Sequence, residues 1–267
     1  MSSVVLITGA SSGIGKAIAE YLAQKGYTVY GTSRNPKQTT LNGVHFLKLD
    51  VTSSQSIHEA VTSLLEKEGR IDFLINNAGK GITGPIEEIP ETELKSIFET
   101  NYFGPLNAIK AVLPQMRKQG SGMVINVTSI AGFMGLPYRG AYSATKGALG
   151  LTTEAFRMEL KEFNIKMTNV APGDFATNIA SGRYHAPVQP NSPYKESYSK
   201  SLKLMDEHVD EGKDPNLMAD AVYRIMNTSN PKVHYKVGAF MQKFSVLLKG
   251  VLPDRLYERM LLNHYKL

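Results

Sequence analysis

The chain has 267 residues, of which 42 % are hydrophobic and 20 % charged, close to ordinary globular usage and enough for a sizeable core. It contains no cysteine, which excludes disulfide frameworks and thiolate metal sites, and its six scattered histidines show no metal-ligand spacing, so no metal is expected. The net charge of +6 is uneven: residues 230–267 hold seven Lys/Arg and two acids, while the rest is nearly balanced, unlike a nucleic-acid groove.

The opening MSSVVLITGA lacks the basic start and long apolar run of a signal peptide, and residues 3–9 read as a strand. No apolar run reaches the ~18–20 residues that span a bilayer, so a cytoplasmic protein is expected. Gly9, Gly13 and Gly15 then mark a turn between this strand and an amphipathic helix with Ile18, Ala19, Leu22 and Ala23 on one side and Gly26 as its stop. Further strands are predicted at 28–33, 44–50, 71–76, 122–129, 165–172 and 232–238. They are dense in apolar residues, as strands buried on both faces are. Helical patterns fill 53–68, 91–119, 141–163 and 215–228. This alternation predicts an α/β fold over residues 1–267: a single-domain, Rossmann-like, doubly wound parallel sheet of about seven strands with helices on both faces. Residues 176–214 lack a clear period and are too long for a routine connection, which suggests a substrate lid. Residues 239–267 form an amphipathic tail.

A glycine turn that leaves a strand and opens a helix lets the backbone approach a pyrophosphate, with the helix N-terminus facing the anion. The spacing is G-x-x-x-G-x-G, and no Gly-Lys-Ser/Thr closes it as in a Walker A loop. The second strand ends in Ser33 and Arg34. An acid there would repel a 2′-phosphate; a hydroxyl and a guanidinium fork suit one. NADP(H) is therefore the expected cofactor. Farther on, AYSATKGALG (141–150) places Tyr142 and Lys146 four apart, on one helical face. A phenol has a pKa near ~10, and a neighbouring ammonium favours the phenolate, so the spacing couples a proton donor to a tuning charge.

With these motifs in order, the sequence resembles the short-chain dehydrogenase/reductase family through about residue 240. TGASSGIG (8–15) resembles its cofactor turn, NNAG (76–79) its motif after the fourth strand, and YSATK (142–146) its Tyr-x-x-x-Lys pair. Ser129 stands 13 residues before Tyr142, the family spacing. Asn101, in ETNYFG, sits where the family places a fourth catalytic residue, and PGDFAT (172–177) resembles the segment that meets the nicotinamide. The resemblance implies an NADP(H)-dependent oxidoreductase that moves a hydride between a nicotinamide and a carbonyl or alcohol. Tyr142 would be the acid, Lys146 would tune it and hold the ribose, Ser129 would polarise the substrate oxygen, and Asn101 would support a proton relay. The cofactor would contact Gly9, Ser11, Ser12, Gly13, Ile14, Gly15, Ser33, Arg34, Asp50, Val51, Asn77, Ala78, Gly79, Tyr142, Lys146, Pro172, Gly173, Phe175 and Thr177. Each residue also has a plainer reading: Ser129 as a strand-end cap, Asn101 as a helix N-cap, Thr52 or Ser53 as the cap of the next helix, and Asn76 and Asn77 as structural amides.

A non-catalytic dinucleotide-binding sensor would share the fold, but the Tyr–Lys pair is intact. A sugar-nucleotide epimerase would carry a C-terminal substrate domain and a different glycine spacing. In 131–138, Phe133, Met134, Leu136 and Tyr138 suit a lipophilic small-molecule substrate or, equally, the core. The overall style resembles the branch of 17β-hydroxysteroid and retinol dehydrogenases. Family resemblance also implies a homodimer or homotetramer through the helices near 101–119 and 143–163, where Ala108, Ala111, Ala148 and Leu151 suit close contacts. In the tail, Phe240, Phe244, Leu247, Leu248 and Val251 form one helical stripe, and Leu256, Met260 and Leu261 a second. With the basic excess, these suit either weak peripheral contact with an anionic membrane or packing over the substrate cleft.

Overall fold

The computed structural model describes residues 2–176, 182–210 and 212–267, with the backbone alone for 206–210. In chain order the elements begin β1 (Val4–Ile7), α1 (Gly13–Gln24), β2 (Thr28–Ser33), β3 (Thr40–Leu41), β4 (Val44–Lys48), α2 (Ser54–Glu68), β5 (Phe73–Asn76) and β6 (Ile82–Thr83). There follow α3 (Glu91–Phe98), a π turn (Glu99–Phe103), α4 (Gly104–Gln119), β7 (Gly122–Val127), α5 (Gly140–Glu159) and β8 (Ile165–Pro172). Last come β9 (Tyr184–His185), α6 (Lys195–Asp210), α7 (Asn216–Met226), β10 (His234–Val237), α8 (Phe240–Val251) and α9 (Asp254–Tyr265).

The main sheet runs β10-β8-β7-β5-β1-β2-β4-β3. Seven of these strands are the expected ones and pair in parallel; β3 adds a short antiparallel edge. The apolar run of β1 follows from its two buried faces. Val4 and Leu6 pack toward α2 and α4, while Val5 and Ile7 pack toward α1 and α7. Burying such a side chain contributes about 1.5–3 kcal/mol, so both helix layers are anchored by single alternating residues. The chain winds outward from β1 through β2 to β4, then returns to β5 and winds the other way. The carboxyl ends of β1 and β5 therefore flank a topological switch point, where doubly wound folds open a crevice.

A buried amide row crosses the sheet under α5. Asn76, Asn126, Asn169 and His234 are register partners on successive strands. Asn76 Nδ2 donates to Asn126 Oδ1 (2.9 Å), Asn126 Nδ2 to Thr153 Oγ1 (2.9 Å), and Thr153 Oγ1 to Asn169 Oδ1 (2.8 Å). Such a chain fixes strand register and holds α5 to the sheet, because any slip would strand buried polar groups.

Three expectations change. The 176–214 segment contains the 16-residue helix α6, which turns Tyr198, Ser201 and Met205 inward. Ser201 at a core position dilutes the apolar period. The 91–119 helix is interrupted by the π turn, so Asn101 lies inside a helical stretch and is not an N-cap. Ala108 lies on the inner face of α4, buried in the core, so it cannot contact a neighbouring copy, whereas Leu151 on α5 is exposed.

Candidate active site

At the switch point Gly9 adopts φ +67°, and a Cβ there would lie 2.9 Å from Ala78 Cα. At Gly15 a Cβ would collide with the Gly9 carbonyl and the Asn77 amide. The two loops are also tied together. Thr8 Oγ1 accepts from the N–H groups of Asn77 (3.0 Å) and Ala78 (3.1 Å), and Asn77 Nδ2 donates to the carbonyls of Thr8 (3.1 Å) and Gly9 (2.9 Å). Asn77 thus helps shape the turn, and it also lines the cleft that the turn bounds. Ser12 is extended, its side chain caps nothing, and the first turn of α1 has no acid. An uncapped helix N-terminus is the normal seat of a phosphate.

This turn forms one wall of a cleft of about 600 Å³. Ser33 and Arg34 line its far end opposite Asp50 and Val51. The Asp50 carboxyl is held below its ordinary range by the N–H and hydroxyl of Thr52 and, less, by the Arg34 charge. Arg34 is exposed at the rim, free to meet an incoming anion. The glycine cradle, the open helix N-terminus and this basic rim together fit a dinucleotide.

The inner end of the cleft is built by α5. Tyr142 and Lys146 both line it, one turn apart and both buried. Lys146 Nζ donates to the Val127 carbonyl at 3.0 Å, and burial pushes its pKa down to about 8. Asn101 is fixed three times over: Oδ1 accepts from the Lys80 N–H (2.9 Å), while Nδ2 donates to the Lys80 carbonyl (2.9 Å) and to Thr145 Oγ1 (3.2 Å). Thr145 Oγ1 in turn donates to the Tyr142 carbonyl (2.8 Å). A Cβ on Gly79 would lie 3.2 Å from Asn101 Oδ1 and 3.4 Å from Lys146 Nζ, so the amide and the ammonium flank one point. The π turn is what carries Asn101 there, as such bulges do at functional sites.

Ser129 follows β7. Its Oγ accepts from the Ala131 N–H (3.1 Å), so it is a cap, and it also lines a second cavity of about 670 Å³. Pro172 lines both spaces. Met134 and Leu136 pack in a core cluster and also line the second cavity, joined by Leu204 and Met205 of α6, Met241, Phe244 and Leu248 of α8, and Met260 and Leu261 of α9. Phe133 instead packs under α8, against Lys236. Tyr138, at φ +57°, fastens α6 by donating to Ser197 Oγ (2.8 Å). Arg139, which the sequence did not single out, lines the cavity with its guanidinium carbon 5.4 Å from the Tyr142 ring centre.

Most expected cofactor residues line the first cleft. Gly15 lies beneath the turn, and Gly173 lines the second cavity. The Phe175 side chain is buried in the core on the α1 and α7 side and does not line the cleft. Thr177 lies outside the described residues. Lys80, Ser96, Thr100 and Thr128 line the cleft without having been anticipated; only Thr100 and Thr128, each preceding a flagged residue, carried a signal.

Residues 3–187 match the short chain dehydrogenase family. The chain is 41 % identical, over 96 % of its length and 95 % of the relative's, to a 3-ketodihydrosphingosine reductase of Bacteroides thetaiotaomicron. A short-chain dehydrogenase of Streptomyces avermitilis superposes with a TM-score of 0.82 at 33 % identity, covering 99 % of this chain and 97 % of that one. Another from Burkholderia cenocepacia, solved in complex with NADP, superposes at 0.76 and 25 % identity, covering 97 % of each. The crevice, the sheet order and these likenesses agree: the chain belongs to the short-chain dehydrogenase family and is an oxidoreductase of CH–OH and C=O groups that uses a nicotinamide cofactor.

Proposed function

We propose that the protein is an NADP(H)-dependent reductase of a long-chain, lipophilic ketone. The observation that carries this reading is the join between the two spaces: a cavity lined by Met, Leu and Phe side chains, with Arg139, Asp174, Arg183, Lys213 and His264 among its polar residues, meets at Pro172 the dinucleotide cleft that Tyr142 lines. The likeness to a 3-ketodihydrosphingosine reductase supports the chain length, and Ser33 with Arg34 supports the 2′-phosphate.

Bound NADPH supplies the hydride that forms the new C–H bond. As the carbonyl π electrons move to oxygen, Tyr142 Oη gives its proton to that oxygen and an alcohol results. Lys146, still charged below about pH 8, stabilises the phenolate left behind. Ser129 Oγ donates to the substrate oxygen from the cavity side. Asn101, rigid in its π turn, holds the Lys80 carbonyl at the inner wall, where a proton can be relayed back. The exposed α5 face around Leu151 and Met158 is the surface on which two copies would pair.

The test is steady-state NADPH oxidation with 3-ketones of rising chain length, run beside NADH. Activity that rises with chain length and prefers NADPH supports the reading. Turnover confined to short, polar ketones, or a preference for NADH, contradicts it.

A further inference from the structure

The tail resolves into two faces. On α8, Val246 and Leu248 turn inward, as does Leu252 just beyond it, against the cluster of Ile130, Met134 and Tyr257, and Leu248 lines the cavity. The rest of the expected stripe turns outward: Phe240 is 71 % exposed, Phe244 36 %, Leu247 58 % and Val251 71 %. These recur at helical spacing and form one apolar ridge, and the rings of Phe240 and Phe244 stack at 5.7 Å. A contiguous exposed apolar ridge marks a docking surface.

We propose that this ridge seats the protein on an anionic lipid surface, with the mouth of the substrate cavity turned toward the lipid. Charge selects the occupant. Helix α8 carries Lys243 and Lys249 and no acid; Lys249 is paired with Asp254 at 2.8 Å, and Lys243, with no ion-pair partner among the described residues, lies one turn from both Phe240 and Leu247. Residues 230–267 hold seven basic residues against two acids. A second copy packed on the ridge by two-fold symmetry would set this basic helix against itself, whereas an anionic bilayer complements it. Length fixes the mode. A helix of 12 residues is about 18 Å long, too short to cross a ~30 Å hydrocarbon core, so it lies in the interface. Position supplies the use: Met241 and Phe244 are both exposed and part of the cavity wall, so a ligand leaving the lipid would meet the cavity without crossing water.

The experiment is cosedimentation of the full chain with vesicles of phosphatidylglycerol and phosphatidylcholine, or of phosphatidylcholine alone, at low and moderate salt. The parent protein should pellet with anionic vesicles at least about tenfold more than with neutral ones, and less as salt shortens the ~10 Å screening length. The triple variant Phe240→Gln, Leu247→Gln, Val251→Gln should lose that binding while NADPH fluorescence titration shows the cofactor site intact. Lys243→Glu, a gentler change, should weaken it several-fold. Absence of binding to anionic vesicles at low salt overturns the proposal. So does a triple variant that pellets like the parent, or one whose only change is a smaller solution mass, which would make the ridge a contact between copies. None of these readouts depends on turnover.

Discussion

Lys146 Nζ donates to the Val127 carbonyl at 3.0 Å, inside a site that leaves the ammonium almost no contact with water. One carbonyl does not replace the lost hydration, and the pKa falls from 10.5 to about 8. In the unfolded chain the group titrates near its ordinary value. Below pH 8 both states hold the proton, and the burial cost is present in full. Between about 8 and 10.5 only the unfolded chain holds it, so stability from this group rises with pH and the cost is gone above 10.5. Lys146→Met should therefore be more stable than the parent at pH 7. The gain is about 2.5 kcal/mol: the fall from 10.5 to about 8, at ~1.4 kcal/mol per pH unit, is about 3.5 kcal/mol, less about 1 kcal/mol for the lost hydrogen bond. Thermal unfolding at pH 7 and pH 9.5 checks it: the gain should shrink at the higher pH, and a pH-independent difference would remove the argument.

The same titration bears on turnover. In the reduction direction, kcat/KM should fall as pH rises through about 8, because the neutral amine no longer stabilises a phenolate. A Lys146→Arg protein that retains cofactor binding should lose this descending limb, since a guanidinium does not titrate there.

Arg34 stands exposed at the rim of the cleft, and its charge already reaches Asp50. Arg34→Ala should raise the Kd for NADPH about 10–100-fold, the worth of a charge-assisted hydrogen bond of ~1.5–3 kcal/mol, and leave NADH within a few fold. Equal weakening of both, read by fluorescence titration, would show that Arg34 does not contact the 2′-phosphate.

Leu151 and Met158 lie on the outer face of α5, seven residues apart and both exposed. Light scattering at micromolar concentration should give a dimer or tetramer for the parent and a smaller particle for Leu151→Asp. A parent that is monomeric at that concentration contradicts the pairing surface.

Much of this was written in the sequence because its signals are local. The glycine turn, Tyr142 with Lys146, and the seven strands each occupy a short window with one dominant period. What was illegible depends on distance in the chain. Helix α6 was hidden by Ser201 at a buried position and by the many lysines around it. Strand β3 is two residues long and exists only because β4 offers an edge. Phe175 lies beside a cofactor-like Pro-Gly segment yet packs in the core, a direction no motif specifies. Arg139, at the N-cap of α5 three residues before Tyr142, belongs to no motif, and the amide row under α5 joins four strands whose partners are named only once the register is known.

If Tyr142 donates the proton while its neighbours hold the cofactor and charge, removing its hydroxyl slows the chemistry and spares cofactor binding. Single-turnover stopped-flow absorbance, with NADPH-saturated parent and Tyr142→Phe proteins mixed with a long-chain ketone, tests it most directly. The proton-donor role predicts unchanged NADPH affinity and fold, with the rate of NADPH oxidation lowered by roughly 10²–10⁴, the usual worth of a general acid. A variant that oxidises NADPH within a few fold of the parent would contradict it.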